Sequence, residues 1–210
     1  MRTLIILLLL IISSCNRKEP DTSKPIKFQK INYSLRYNYF DSLGKKINPN
    51  KAYQYWQYAT LRSWVIDTIQ YTILKEGGNT SLRNRISQKI NPIKVVGIFQ
   101  GGHPSYRCNY AIYIENEKVN YIKTEDEFRT FLGTIDNLEE ALLLARTYGY
   151  RLDNDIKASE YREIDDGYEL HLMKFNEFPA TKEAIEIKIK KDGSIKTKSL
   201  GIYCEGQKCY

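Results

Sequence analysis

Few side chains of this 210-residue chain can act as nucleophiles or bind metals, because it has four cysteines and two histidines. Cys108 with His103 or His171 is the combination that would form a thiol enzyme, which needs a nucleophile, a base within reach and a group that orients the base. The residues around Cys108 match no nucleophile motif and alternate in polarity as in a β-strand. We therefore expect Cys108 in the core or in a disulfide bond, and we predict no catalytic residue.

The two histidines show no metal-binding pattern in the sequence. Neither His103 nor His171 has a second ligand at helical or strand spacing. The segment 153–155 (Asp-Asn-Asp) begins like a calcium loop, but Lys157 and Ala158 stand where such a loop needs a ligand and a glycine. We expect no metal ion and no cofactor.

Acylation is the chemistry that the N-terminus indicates. Arg2 precedes nine apolar residues, Leu4 to Ile12, whereas a helix that crosses a membrane needs about 20. A short apolar run after a positive start is typical of a signal peptide. The next residues, 12–15 (Ile-Ser-Ser-Cys), resemble the lipobox of bacterial lipoproteins. The resemblance implies cleavage before Cys15, acylation of that cysteine and attachment to the lipid bilayer. An uncleaved anchor and an ordinary secretory signal are the alternatives.

The signal peptide would span residues 1–14, and a flexible tether would span residues 15–30, since that segment is polar and has no apolar period. Residue 16 is Asn and not the Asp that retains many lipoproteins in the inner membrane. The resemblance therefore implies the cell envelope, with the outer membrane favoured, on either its periplasmic or its outer side.

The net charge is +7 and falls to about +6 when Arg2 leaves with the leader. A basic chain can bind nucleic acid, but an exported lipoprotein rarely meets any, and the lysines are spread along strand-like segments. Positions such as Lys188, Lys190, Lys196 and Lys198 alternate with apolar or neutral residues. We expect a solvated basic surface near anionic lipid and no nucleic-acid partner.

Three cysteines are left when Cys15 carries lipid, and an oxidising compartment favours their pairing. Cys204 and Cys209 flank a short loop that contains glycine, so we expect these two to form a disulfide bond. A bridge from Cys108 to either of them is the alternative.

Candidate binding residues come from one loop and one aromatic cluster. His103 lies between Gly101-Gly102 and Pro104, which would hold it on a rigid turn. Tyr55 and Trp56 belong to an aromatic-rich early region, and exposed rings of this kind suit contacts with glycans or proteins. We take these three residues as candidates for binding an envelope protein or glycan; packing in the core is the alternative for the aromatics.

The elements that would position these residues begin with a helix. The first half of the chain predicts a helix from Lys51 to Glu76, a short basic helix from Ser81 to Lys89, a buried strand from Ile93 to Phe99, and a hairpin of residues 106–114 and 118–122. The long helix rests on side chains that recur with the 3.6-residue period of a helix face, namely Leu61, Trp64, Val65, Thr68, Ile69, Thr72 and Ile73.

The second half predicts two helices and then strands. A capping box at Thr124–Glu127 starts one helix, and Asn137 starts another that should lie centrally in the core. We predict strands with one solvent-exposed face at residues 168–175, 184–190 and 194–203. The fold class is thus α+β, an antiparallel sheet with a C-terminal meander packed against three or four helices, in a single domain of residues 31–210.

These expectations favour a membrane-anchored envelope lipoprotein that acts as a binding or structural module and not as an enzyme. An envelope thiol-dependent hydrolase using Cys108 and a histidine is the second hypothesis. A lipoprotein that gives immunity to, or inhibits, a secreted toxin is the third.

Overall fold

The computed structural model describes residues 26–33, 39–64, 68–87, 97–101 and 106–210. The signal peptide, Cys15, most of the tether and His103 lie outside these residues. Over the described ranges the chain forms four α-helices and ten strands: α1 Tyr39–Gly44, α2 Arg83–Ser87, α3 Glu125–Leu132, α4 Leu138–Thr147, β1 Gln29–Lys30, β2 Tyr55–Trp64, β3 Thr68–Gly78, β4 Ile98–Gly101, β5 Tyr106–Glu115, β6 Lys118–Ile122, β7 Ser159–Ile164, β8 Gly167–Glu177, β9 Ala180–Lys190 and β10 Ile195–Glu205.

The strands form two antiparallel sheets. Sheet 1 has the order β3-β2-β5-β4, with β6 also paired to β5, and sheet 2 has the order β1-β7-β8-β9-β10. The predicted α+β class, with antiparallel sheet as its main component, is therefore correct. None of the helices in the described part of the chain is long and apolar enough to span a membrane.

The predicted helix from Lys51 to Glu76 is wrong. Its residues form β2 and β3, which pair from Tyr55 opposite Gly78 to Trp64 opposite Thr68. Both faces of β2 are buried, with Tyr55 in one hydrophobic cluster and Trp56 in another. A strand that is buried on both faces shows no alternation of polarity, so a helix-like spacing arose by chance. The run of β-branched residues was the better guide.

The β5–β6 hairpin is confirmed, with Asn116 and Glu117 at its turn in the left-handed backbone region at φ 49° and 61°. The basic helix begins later than predicted, since a 3₁₀ turn at Thr80–Leu82 precedes α2, and its predicted last residues, 88 and 89, lie outside the described residues. The predicted strand from Ile93 to Phe99 falls mostly outside the described residues, and β4 covers its end.

Two helices begin as the sequence predicts. Thr124 caps α3 by accepting from the backbone N–H of Glu127, whose carboxylate accepts from the Thr124 N–H. Asn137 caps α4 through its side chain. The helix α4 is central, since residues 140–145 are all buried.

The C-terminal strands β8, β9 and β10 are confirmed and are longer than predicted. Strand β7 was not predicted, because its residues Ser159–Ile164 mix charged and apolar side chains. It pairs with β8 through a turn at residues 165–166.

The described residues contain two clusters of buried apolar side chains. The larger one includes Tyr58 of sheet 1, Phe128 of α3, Leu142 of α4 and Ile187 of sheet 2. The smaller one lies on the opposite face of sheet 1 and contains Cys108.

Helix α1 lies directly against sheet 1. A Cβ atom at Gly44 would sit 2.0 Å from Cε1 of Tyr58, so only glycine allows this contact. The close approach places Asp41, one turn earlier in α1, over the same sheet.

Candidate functional site

The predicted site residues do not meet at one place. His103 lies outside the described residues. Tyr55 is 0% exposed and Trp56 6% exposed, so the prediction that they bind a ligand at the surface needs correcting: they pack in the two cores because they alternate across a strand covered on both faces. The hydroxyl of Tyr55 donates to Glu76 at 2.6 Å, and its oxygen lies 2.9 Å from Gln57 Oε1, so the hydroxyl has a hydrogen-bond partner inside the protein.

The cysteines pair locally. The structure joins Cys204 to Cys209, and Cys108 is a free thiol. Cys108 is 0% exposed in β5, opposite Leu61 of β2. His171, the only histidine among the described residues, lies in β8 of the other sheet. The described chain therefore brings no imidazole to the Cys108 thiol.

A cleft of about 430 Å³ opens between α3 and the β5–β6 hairpin. Sites for small ligands typically measure about 300–1,000 Å³, so this volume fits a ligand of one or two rings. The side chains that carry its chemistry are Lys51, Tyr53, Tyr113, Asn120, Thr130 and Phe131.

Three aromatic rings form the apolar wall of this cleft. The Tyr53 ring centroid lies 4.5 Å from that of Tyr113 and 5.5 Å from that of Phe131. The centroids of Tyr113 and Phe131 are 6.4 Å apart. Phe131 is buried beneath the other two at 1% exposure, whereas Tyr113 is partly exposed. Because the rings support one another, the wall is fixed before any ligand arrives.

Polar groups surround the aromatic wall. Asn120 of β6 is the register partner of Tyr113 and lines the cleft, and its amide nitrogen donates to the Lys118 carbonyl at 3.1 Å. Lys51 Nζ lies 5.3 Å from the centre of the Tyr53 ring and 2.8 Å from Glu115. Burial raises the pKa of Tyr53, and the Lys51 charge opposes this effect, so the Tyr53 hydroxyl is protonated and able to donate at neutral pH. Thr130 adds a second hydroxyl from α3.

The sequence offered separate signals for parts of this cleft. Phe131 lies in the helix predicted after the Thr124 capping box, and Tyr113 lies in the predicted hairpin. Nothing in the sequence showed that α3 would lie beside β6, so the cleft itself could not be predicted.

A second polar cluster joins α1 to sheet 1 through Asp41, which is 7% exposed. Arg62 Nη2 donates to Asp41 Oδ2 at 2.9 Å, and Asn109 Nδ2 lies 3.4 Å from Oδ1. Arg107 Nη2 lies 2.6 Å from Oδ1 as an ion pair, although its angle does not meet the geometry of a hydrogen bond. Burial, and next the Asp41 charge, raise the pKa of Tyr58 on the same face. This buried cluster is best explained as a structural contact that attaches α1 to β2 and β5.

Comparison of the chain with protein-family models, with curated proteins and with solved structures gave no match.

Proposed function

We propose that this protein is a lipid-anchored envelope lipoprotein whose domain binds a saccharide in the cleft between α3 and the β5–β6 hairpin. The cleft is the observation that carries the binding function. The proposed location rests on the lipobox-like residues 12–15 and on the polar tether. Acylated Cys15 would lie in the bilayer, with the outer membrane favoured.

The chemistry of the cleft suits a sugar ring. Aromatic faces pack against the C–H faces of sugars, and hydroxyl and amide groups at the edge pair with sugar hydroxyls. Tyr113 supplies the partly exposed ring, while Asn120 and Thr130 supply polar groups on two sides of it. The Asn120 amide nitrogen donates to the Lys118 carbonyl at 3.1 Å, and the Thr130 hydroxyl donates to the Asp126 carbonyl at 3.1 Å. The remaining amide N–H and oxygen of Asn120 and the acceptor oxygen of Thr130 are the groups with which sugar hydroxyls can pair.

A thiol-dependent hydrolase is the less favoured function. Cys108 is fully buried in the smaller hydrophobic cluster, so a substrate carbonyl has no path to its sulfur in the described structure. We also propose that residues 31–210 form one domain in which the C-terminal meander packs against the helices. The larger hydrophobic cluster supports this arrangement, since it draws residues from α3, α4 and both sheets.

Binding can be tested with the full chain, purified in detergent, against a panel of soluble glycan fragments that includes N-acetylglucosamine oligomers. We expect Tyr113→Ala and Asn120→Ala each to weaken the best binder about tenfold, which corresponds to roughly 1.4 kcal/mol. Phe178→Ala is the matched control, because this aromatic is 91% exposed in the turn between β8 and β9, in the other sheet. An equal loss in all three variants, or no saccharide that binds, contradicts the proposal.

The anchor has its own test. Cells that express the chain and are fed labelled palmitate should label the wild-type protein and not Cys15→Ser. Absence of label from the wild type would disprove the anchor and leave the saccharide test unaffected.

A further inference from the structure

A cluster of metal-ligating side chains lies on the face of sheet 2 that is opposite the larger hydrophobic cluster. Leu170 and Leu172 of β8 point into the core at 0% and 1% exposure, so the alternating residues Glu169 and His171 lie on the other face. Strand register adds a neighbour on each side: His171 is opposite Glu186 of β9 and Glu160 of β7. Side chains that are directly opposite on neighbouring strands have Cβ atoms about 4.5–5.5 Å apart.

The donor atoms of this cluster are close together. One ligand atom from each of Glu169, His171 and Glu186 lies within 4.8 Å of the other two. Glu160 Oε2 lies 3.7 Å from His171 Nδ1. Three carboxylates thus surround one imidazole, an arrangement that the sequence conceals because its members come from three strands.

The cluster is held in place by its neighbours. The ring of Phe28 stacks on His171 at 4.1 Å between centroids and an interplanar angle of 23°. The Arg162 guanidinium lies 4.7 Å from the Phe28 ring centre and donates to Glu169 at 2.8 Å. The imidazole plane and one carboxylate are therefore oriented by contacts behind them, as in natural metal sites, where outer groups fix the ligands.

Positive side chains also face the cluster. Lys188 Nζ lies 3.3 Å from Glu169, and Lys198 is the register partner of Glu186. Lys188 is 49% exposed at its side chain and Lys198 is exposed, so both ammonium groups can move into solvent when a cation enters. Glu169 itself is 2% exposed.

We propose that His171, Glu186 and Glu169 bind one divalent zinc-class ion, with Glu160 as a neighbouring fourth donor. One imidazole with carboxylates is a donor set that suits Zn²⁺. Calcium and magnesium prefer oxygen ligands alone, in larger number. Bonds of about 2.0–2.2 Å require the donor atoms to close in by on the order of an ångström, which rotation of the glutamate side chains can supply. The ion would tie β8 to β9, and it is independent of the saccharide cleft.

The test is a titration of the full chain, in detergent and free of chelators, with Zn²⁺ alone. We expect one saturable site per chain, and at least a tenfold weaker affinity in both His171→Ala and Glu186→Gln. Glu186→Gln keeps nearly the same shape, so a loss of binding there is not a loss of folding; circular dichroism of each variant checks this directly. His103→Ala is the matched control, since it removes the other histidine of the chain, and it should bind Zn²⁺ as the wild type does.

Co²⁺ provides a second readout, because its visible absorption reports the ligands. Binding of Co²⁺ to the wild type should give a d–d spectrum that Glu186→Gln changes and His103→Ala does not. The proposal is overturned if Zn²⁺ shows no saturable binding, if Ca²⁺ binds as tightly, or if His103→Ala loses the site while His171→Ala keeps it.

Discussion

Asp41 should be one of the most sensitive single positions in the protein, because one carboxylate faces two guanidinium groups at a buried interface. Arg62 and Arg107 lie 2.9 and 2.6 Å from its two oxygens. Asp41→Ala removes the negative charge that lies between the two guanidinium groups, so their mutual repulsion at this buried interface is no longer offset by Asp41. Helix α1 would lose its polar attachment to β2 and β5.

The magnitude follows from burial. Removing one member of a buried ion pair costs about 3–5 kcal/mol, and the arginine side chains here are 11% and 30% exposed. The more exposed of the two, Arg62, can turn partly into water, so we take the lower end, about 3 kcal/mol. With a urea m-value of about 2 kcal/mol/M, this loss lowers the midpoint of unfolding by about 1.5 M.

Urea unfolding followed by circular dichroism measures this shift. Asp166→Ala is the matched control, because Asp166 forms an ion pair with Lys190 at 3.8 Å in which both side chains are more than half exposed; its midpoint should stay near that of the wild type. Adding Arg107→Met to Asp41→Ala should recover part of the loss, since the uncompensated charge is gone. A midpoint for Asp41→Ala close to that of Asp166→Ala, or no recovery in the double variant, would refute the reasoning.

Three further predictions concern stability. Cys209→Ser opens the short ring with Cys204 and should cost about 2 kcal/mol by loop entropy, which thermal unfolding with and without reductant can measure. Tyr203→Phe removes the 2.7 Å hydrogen bond to Asp153, and we expect the free energy of unfolding to fall by about 1 kcal/mol. The pKa of Asp153, measured by NMR titration, should rise, because burial favours the neutral carboxyl and the hydrogen bond from Tyr203 is the largest effect that opposes burial. Burial raises the pKa of Glu140 in the folded state, and this effect outweighs the hydrogen bonds from backbone N–H groups, which lower the pKa. The Glu140 carboxyl therefore binds its proton more tightly in the folded state than in the unfolded state. Wild-type stability should rise relative to Glu140→Gln as the pH falls from 7 through the raised pKa toward the unfolded value of about 4.3, and urea midpoints at pH 7 and pH 4 test the sign.

Local signals were reliable where they involve neighbours in the chain. The capping box of Thr124 and Glu127 depends on atoms three residues apart, and the Cys204–Cys209 ring closes over a short loop. The turn at Asn116 between two apolar runs is equally local. Each of these contacts is complete within a few residues, so the sequence contains all the information that it needs.

Signals that depend on what covers an element were not reliable. The polarity of β2 follows from the burial of both its faces, which the residues of β2 cannot reveal. Tyr55 and Trp56 were candidates for a surface because aromatic side chains suit both surfaces and cores. Only the pairing of β2 with β3 and β5 decides between these uses.

The cluster around His171 also depends on contacts between strands that the residues of one strand do not reveal. It is linked to the proposed anchor through Phe28. The prediction that His171 has no second ligand at strand spacing was wrong, because Glu169 lies two residues before it in β8. The other two carboxylates come from β7 and β9, through register alone. Phe28, which stacks on His171, belongs to the end of the tether that precedes β1. If Cys15 holds the other end of the tether in a bilayer, tension on the tether reaches this stack first, because Phe28 precedes the residues Gln29, Lys30 and Ile31 that pair with β7. Bound Zn²⁺ should therefore protect the amides of β8 and β9 from hydrogen exchange in Phe28→Ala less strongly than in the wild type, since the imidazole has then lost the ring that orients it.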